Sequence, residues 1–156
     1  MLITAQEVIN LALPNKNMDS ALLSPSIPLA ELKYMSKALG KPFFDALQAQ
    51  AASGQYLGLN QYLHTSYLKP CLARYVVYEA LPMIKAEVTA NGLQTAHTDY
   101  AVPISNTDFA MLRNKFLSDA ETLLQEMLVY LKANAPAFPD FKCTDTQSSN
   151  HLPFLY

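Results

Sequence analysis

The sequence predicts an all-α fold: a bundle of about five helices, two of them long and central, with an extended C-terminal arm. Three observations carry that expectation. Apolar residues recur at helical spacing along most of the chain, capping residues precede several of these runs, and prolines and glycines fall between them. A chain of 156 residues suits one domain that buries its own core without needing a disulfide or a metal. Residues 1–136 are assigned to the helical bundle domain and 137–156 to the arm.

The elements follow in order. Thr4-Ala5-Gln6-Glu7 is a capping box, and Val8, Ile9, Leu11 and Leu13 after it give a short first helix that stops before Pro14. Residues from Pro14 to Pro28 read as a loop, with a turn of helix near Met18, Ala21, Leu22 and Leu23. A second helix should start near Pro28 or Leu29, because proline suits a first turn. Its expected core stripe is Leu29, Leu32, Met35 and Leu39, and Gly40 ends it. Pro42 opens a third helix through Phe43, Phe44, Leu47 and Ala51, which ends near Ser53-Gly54.

The fourth helical pattern runs from about Gln61 to Asn91, with Leu68, Leu72, Tyr75, Val76, Met83 and Ile84 on one face and Gly92 as its cap. Pro70 could mark a first turn, which would move the start to Tyr67 or Leu68, and Pro82 should kink the helix. Leu93 to Ile104 reads as a short hairpin or an extended loop. Ser105-Asn106-Thr107-Asp108 then starts a fifth helix carrying Phe109, Leu112, Phe116, Ala120, Leu123, Met127, Leu128 and Leu131, and Pro136 ends it.

Charge is the unusual quantity. Only 15% of residues are Asp, Glu, Lys or Arg, while 51% are apolar, including nine Tyr and seven Phe. A small domain has much surface to cover, so a charge-poor one is expected to bury part of it against other subunits. The net charge of −2 gives no electrostatic footprint for nucleic acid. Cys71 and Cys143 share no ligand spacing and read as free thiols of a reducing compartment. The N-terminus lacks the basic and apolar regions of a signal peptide, and no stretch is long and apolar enough to span a membrane.

No constellation specifies a reaction. The four glycines form no phosphate loop, and no nucleophile elbow occurs. His97 and Asp99 offer two possible metal ligands without the further donors a site needs, so a solvated loop is expected. Cys71 suits a small core residue better than a nucleophile. Glu79 lies in an apolar stretch, and a structural ion pair with Arg74 or Lys85 is the expected account of it. The tyrosines Tyr62, Tyr67, Tyr75 and Tyr78 have no basic stripe beside them, so packing explains them better than base stacking. We therefore expect no catalytic, cofactor-binding or metal residues.

The arm is the most distinctive segment. Lys142 to Asn150 is polar, whereas Leu152, Pro153, Phe154, Leu155 and Tyr156 are apolar apart from their carboxyl terminus. A polar tether ending in an apolar anchor reads as a docking arm, and these five residues are the expected partner-binding site.

The segments Ile3-Thr4-Ala5-Gln6-Glu7-Val8-Ile9, Ala30-Glu31-Leu32-Lys33-Tyr34 with Leu39-Gly40-Lys41, and Leu68-Lys69-Pro70 before a Tyr-rich helix together carry a likeness. Their layout resembles the head–tail connector, or adaptor, proteins of tailed bacteriophages, and looks most like connector-like proteins from phages of Bacteroidetes. The likeness continues through the loop after Asn91-Gly92 to a long last helix with a Pro/Phe ending, as far as about Phe141. These are packing and capping signals, so the resemblance carries over no active site. It implies a virion subunit assembled in the host cytoplasm, in a ring of about twelve copies closed by heterologous contacts. Such a ring sits beneath the portal protein, grips it with terminal arms, offers a platform to the next tail component and passes DNA without binding it specifically. The alternatives are another phage structural or tail-completion protein, or a small helical enzyme or ligand binder. The last would place Glu79, His97 or Asp99 in a pocket between helices four and five.

Overall fold

The computed structural model describes residues 1–14, 16, 18–89, 92–95 and 105–142. Among these residues, five helices form an all-α bundle with one small β-hairpin. They are α1 (Ala5–Ala12), α2 (26–39), α3 (Lys41–Ser53), α4 (60–85) and α5 (Asn106–Ala133). Between α4 and α5, strands β1 (Ala86–Thr89) and β2 (Gly92–Thr95) pair antiparallel, with Ala86 opposite Thr95 and Thr89 opposite Gly92.

The capping box forms as the sequence requires. The Glu7 amide donates to Thr4 Oγ1 at 3.3 Å, and the Thr4 amide donates to Glu7 Oε2 at 2.9 Å. Ile3 before the cap and Val8 after it are both buried, the arrangement of a hydrophobic staple. At the other end of α1, the Lys16 ammonium donates to the carbonyls of Ile9, Asn10 and Leu13 at 2.7–3.2 Å, satisfying groups the helix leaves free. A single 3₁₀ turn, Ser20–Leu22, follows and is capped by Asp19. Gly40 separates α2 from α3 at φ 78°, and Gly54 ends α3 in the left-handed region at φ 71°, conformations an L side chain resists.

The core is built around α4. Cys71, Leu72, Ala73, Tyr75, Val76, Val77 and Ala80 are all buried in it, and consecutive buried residues mean that the helix is enclosed on more than one face. Helices α1, α2 and α5 all pack on α4. α4 and α5 run antiparallel: Lys85 Nζ meets Asn106 Oδ1 at 2.8 Å, Arg113 meets the Tyr78 carbonyl at 3.3 Å, and Cys71 Sγ meets the Ala120 carbonyl at 3.4 Å.

Several expectations are corrected. α2 begins at Ser26, two residues before Pro28, which is tolerated because first-turn amides need no helical acceptor. Its core face is Ile27, Ala30, Glu31, Met35 and Leu39, whereas Leu29 and Leu32 are 42% and 62% exposed. A π turn over Glu31–Met35 widens the helix and shifts which side chains face inward. α4 starts at Asn60, so Pro70 is not a first-turn proline. A second π turn, His64–Leu68, precedes it, and the widened ladder absorbs the missing amide.

α4 also ends at Lys85 and not at Asn91, so Gly92 opens β2 and caps no helix. Pro82 lies inside α4, which stops three residues later. Of the stripe expected on α4, Met83 is 58% exposed. Of that on α5, Ala120, Met127 and Leu131 are fully buried, and Leu112 is 40% exposed. At the start of the segment assigned to the arm, Ala135–Ala137 makes a 3₁₀ turn and Phe138 enters the core at 1% exposure.

Candidate functional site

The expected partner-binding residues, Leu152, Pro153, Phe154, Leu155 and Tyr156, lie outside the described residues, as do His97, Asp99, Cys143 and His151. The described chain ends at Lys142, within the segment expected to form the arm. Phe138 meets Phe43 edge-on at 6.1 Å and Tyr130 at 5.9 Å, and Phe141 meets Phe43 at 5.9 Å. Tyr130 stacks on Tyr67 at 4.6 Å and contacts Tyr62 at 5.8 Å. A continuous aromatic ladder therefore ties the end of the described chain to the starts of α3 and α4 and to the end of α5. Aromatic pairs at these spacings contribute about 0.5–1.5 kcal/mol each beyond their burial.

The tyrosines Tyr62, Tyr67, Tyr75 and Tyr78 divide into separate packing groups. Tyr62 and Tyr67 belong to this ladder. Tyr75 stacks on Tyr34 at 3.8 Å, and Tyr78 carries the Arg113 guanidinium over its ring at 4.1 Å. The Tyr34 hydroxyl donates to Glu79 Oε1 at 2.6 Å, and Lys33 Nζ lies 3.1 Å from both Glu79 oxygens. Glu79 thus has the structural ion pair expected of it, but with Lys33, not with Arg74 or Lys85. Arg74 instead donates to the Pro70 carbonyl at 3.0 Å. Burial alone would raise the Glu79 pKa; the bonds from Tyr34 and Lys33 outweigh it and hold the carboxyl below its usual range. Burial and the same bond push the Tyr34 hydroxyl well above its own.

A second polar cluster has no precedent in the sequence reading. Glu31 and His64, each the first residue of a π turn, are both 3% exposed. The Leu2 amide donates to Glu31 Oε1, and Gln48 Nε2 donates to Glu31 Oε2 at 2.9 Å. His64 Nε2 lies 2.6 Å from the Leu2 carbonyl, and Tyr56 Oη lies 2.6 Å from His64 Nδ1. A carbonyl only accepts, so the proton is assigned to Nε2, and Nδ1 accepts from the Tyr56 hydroxyl. Burial lowers the His64 pKa, and the Leu2 carbonyl only partly offsets it, which favours the neutral imidazole. The Lys69–Glu7 pair, at 2.6 Å, fastens α1 to α4 nearby. The only signals of this cluster in the sequence are a lone carboxylate and a lone imidazole within apolar runs.

Chemically these groups are occupied. Both nitrogens of His64 are bonded, Glu79 is a weakened base, and burial pushes the Cys71 thiol up to about 12. Between α4 and α5 an open depression of about 460 Å³ is lined by Tyr75, Ser118, Glu121, Thr122, Leu124 and Gln125. Glu79 is turned instead toward Tyr34 and Lys33. No group of three or more His, Cys, Asp or Glu among the described residues is placed to hold a metal ion. No helix among them is long and apolar enough to cross a membrane.

No curated protein and no solved structure matches this chain. Residues 35–151, well over half of the chain, match the model of a family of unknown function, DUF6712. The chain belongs to that family.

Proposed function

We propose that this member of the DUF6712 family is a structural assembly subunit, a head–tail connector of a tailed-phage virion. In this reading copies of the chain form a ring beneath the portal protein, extend the DNA channel and offer a platform to the next tail component. The observation that carries the proposal is the surface. On a domain with 15% charged residues, Leu57 is 72% exposed, Met111 65%, Leu32 62%, Val129 61% and Met83 58%. Large apolar groups spread over several helices suit a subunit that meets neighbours on more than one side. A heterologous ring requires two different contact faces on each copy.

Three further points support this reading. The polar groups best placed for chemistry among the described residues are engaged in packing contacts. The aromatic ladder packs Phe138 and Phe141 onto the domain, and in this reading the five apolar residues beyond them serve a partner. A net charge of −2 suits a channel wall that lets DNA pass without holding it. Placement as a virion subunit, with assembly in the host cytoplasm, rests on the resemblance described above.

Native mass measurement and particle imaging, of the protein alone and mixed with the portal protein of the same phage, test the proposal. A ring of the chain seated on the portal is expected. A chain that stays single in the intact particle, with no neighbour of its own kind, refutes the ring. Another tail-completion role would instead place the chain at a different level of the tail.

A further inference from the structure

Among the exposed apolar residues, three stand together. Leu57, Leu59 and Tyr62 are 72%, 41% and 51% exposed where the α3–α4 connector enters α4. The Asn60 amide donates to the Leu57 carbonyl at 3.0 Å and the Leu63 amide to the Leu59 carbonyl at 3.0 Å, so the three share one tight turn and the first helical turn. Leu59 and Tyr62 are three residues apart, the spacing that places side chains on one side of a helix. No Asp, Glu, Lys or Arg occurs between Asp45 and Lys69, so the patch sits in a charge-free stretch of sequence.

The C-terminal tail has matching chemistry. From Thr146 to Tyr156 it also contains no charged side chain, and it ends in Leu152, Pro153, Phe154, Leu155 and Tyr156. Neither segment brings a charged side chain of its own to such a contact. Tyr62 adds an aromatic face for a proline and a phenylalanine. A run of ring contacts links the end of the described chain to Tyr62 of this patch. From Phe141 the rings of Phe43, Phe138, Tyr130 and Tyr62 follow at centroid steps of 5.8–6.1 Å. The ten-residue step from Lys142 to Leu152 spans at most roughly 33–36 Å, long enough to reach beyond its own subunit.

We infer that the patch of Leu57, Leu59 and Tyr62 is the seat for Leu152–Tyr156 of a second copy of this chain. The inference rests on the ring reading above and names its contact. Patch and tail are different surfaces of one chain, as a head-to-tail closure demands, and each copy both offers a tail and receives one. Pro153 restricts the tail before it docks and so reduces the ordering cost. Burial of the Leu and Phe side chains supplies the driving force against that cost.

The test uses full-length chains in which Cys143 is replaced by Ser. Cys71 is buried and stays silent. One chain carries Leu57→Cys and a size tag, the other carries Leu155→Cys. The two are mixed and oxidised, at concentrations where native mass shows multimers and also on portal particles. A covalent heterodimer, absent under reducing conditions and lost when Tyr62→Ser is added to the first chain, is expected. A chain carrying both cysteines that closes only on itself, with no heterodimer in the mixture, overturns the inference in favour of a tail covering its own subunit. No cross-link of either kind overturns the seat. Deletion of Thr144–Tyr156 separates this from the ring reading. If that deletion still abolishes assembly, the arm works elsewhere and the ring reading stands; if it has no effect on assembly, the arm itself is refuted.

Discussion

Glu31 and His64 hold the same residue from two different helices: the Leu2 amide donates to Glu31, and the Leu2 carbonyl accepts from His64 at 2.6 Å. Each sits at the start of a π turn and is buried there. The N-terminal segment is thereby locked in register before α1 begins, and the Leu2 and Ile3 side chains are buried beside it. Replacing Glu31 by Ala leaves the Leu2 amide and the Gln48 amide without their acceptor in a buried site. Such a loss costs about 1–3 kcal/mol. Urea unfolding of Glu31→Ala should show a midpoint lowered accordingly with an unchanged slope. A midpoint equal to that of the parent would mean that water replaces the carboxylate.

His64 gives the fold a pH dependence of defined sign. Its folded pKa lies below its ordinary 6.5, chiefly because burial disfavours the charged ring. At pH values between the two, the unfolded chain binds the proton and the folded chain does not, so stability rises with pH. The contribution is complete above 6.5 and is lost as pH falls from 6.5 through the folded pKa. Glu7 and Glu79 also have lowered values, despite burial that acts the other way, but their window opens only below 4.5. Stability measured between pH 7.5 and 5 should fall on acidification, and His64→Gln should flatten that slope. An equal slope in the variant would assign the titration to another group.

At Glu79 the hydroxyl of Tyr34 should matter more than the charge of Lys33. The Lys33 side chain is 48% exposed, and exposed pairs contribute about 0–1 kcal/mol. Glu79 is 11% exposed and takes the Tyr34 hydroxyl at 2.6 Å, a charge-assisted bond shielded by the Tyr34–Tyr75 stack. Tyr34→Phe should therefore lose about 1.5–3 kcal/mol, and Lys33→Ala much less. Thermal melts of the two variants check the order, and a larger loss in Lys33→Ala would reverse the account.

The parts of this fold legible in the sequence are those governed by local chemistry. Thr4 with Glu7, Ser105 with Asp108, and the glycines at 40 and 54 announce their helix ends because a cap or a positive φ demands a residue type. The π turns carry no such signature. They rotated the core face of α2 away from Leu29 and Leu32 and let α4 run through Pro70. The helical period runs past the true end of α4 because Ala86-Glu87-Val88-Thr89 pairs with a partner strand, a choice periodicity does not encode. The Glu31–Leu2–His64 cluster joins residues far apart in the chain, so no window of sequence contains it. The aromatic ladder was visible only as an excess of Tyr and Phe without partners.

The boundary between domain and arm makes the final prediction. Phe138 is 1% exposed and packs edge-on against Phe43 and Tyr130, so it is core even though it follows Pro136. Phe138→Ala removes a fully buried ring from a site pinned by two others, a change that costs about 3–5 kcal/mol. Deleting Thr144–Tyr156 leaves that ring and Phe141 in place, along with every core residue named above. The deletion should therefore keep the unfolding free energy within about 0.5 kcal/mol of the parent, while Phe138→Ala lowers it strongly. Assembly should respond in the opposite order: the deletion, whose fold is intact, should fail to form multimers that the full chain forms. Calorimetry paired with native mass on the same two variants checks both halves. A deletion that unfolds the domain would show that the tail belongs to the core of its own subunit, and the arm would then have no free anchor to give a neighbour.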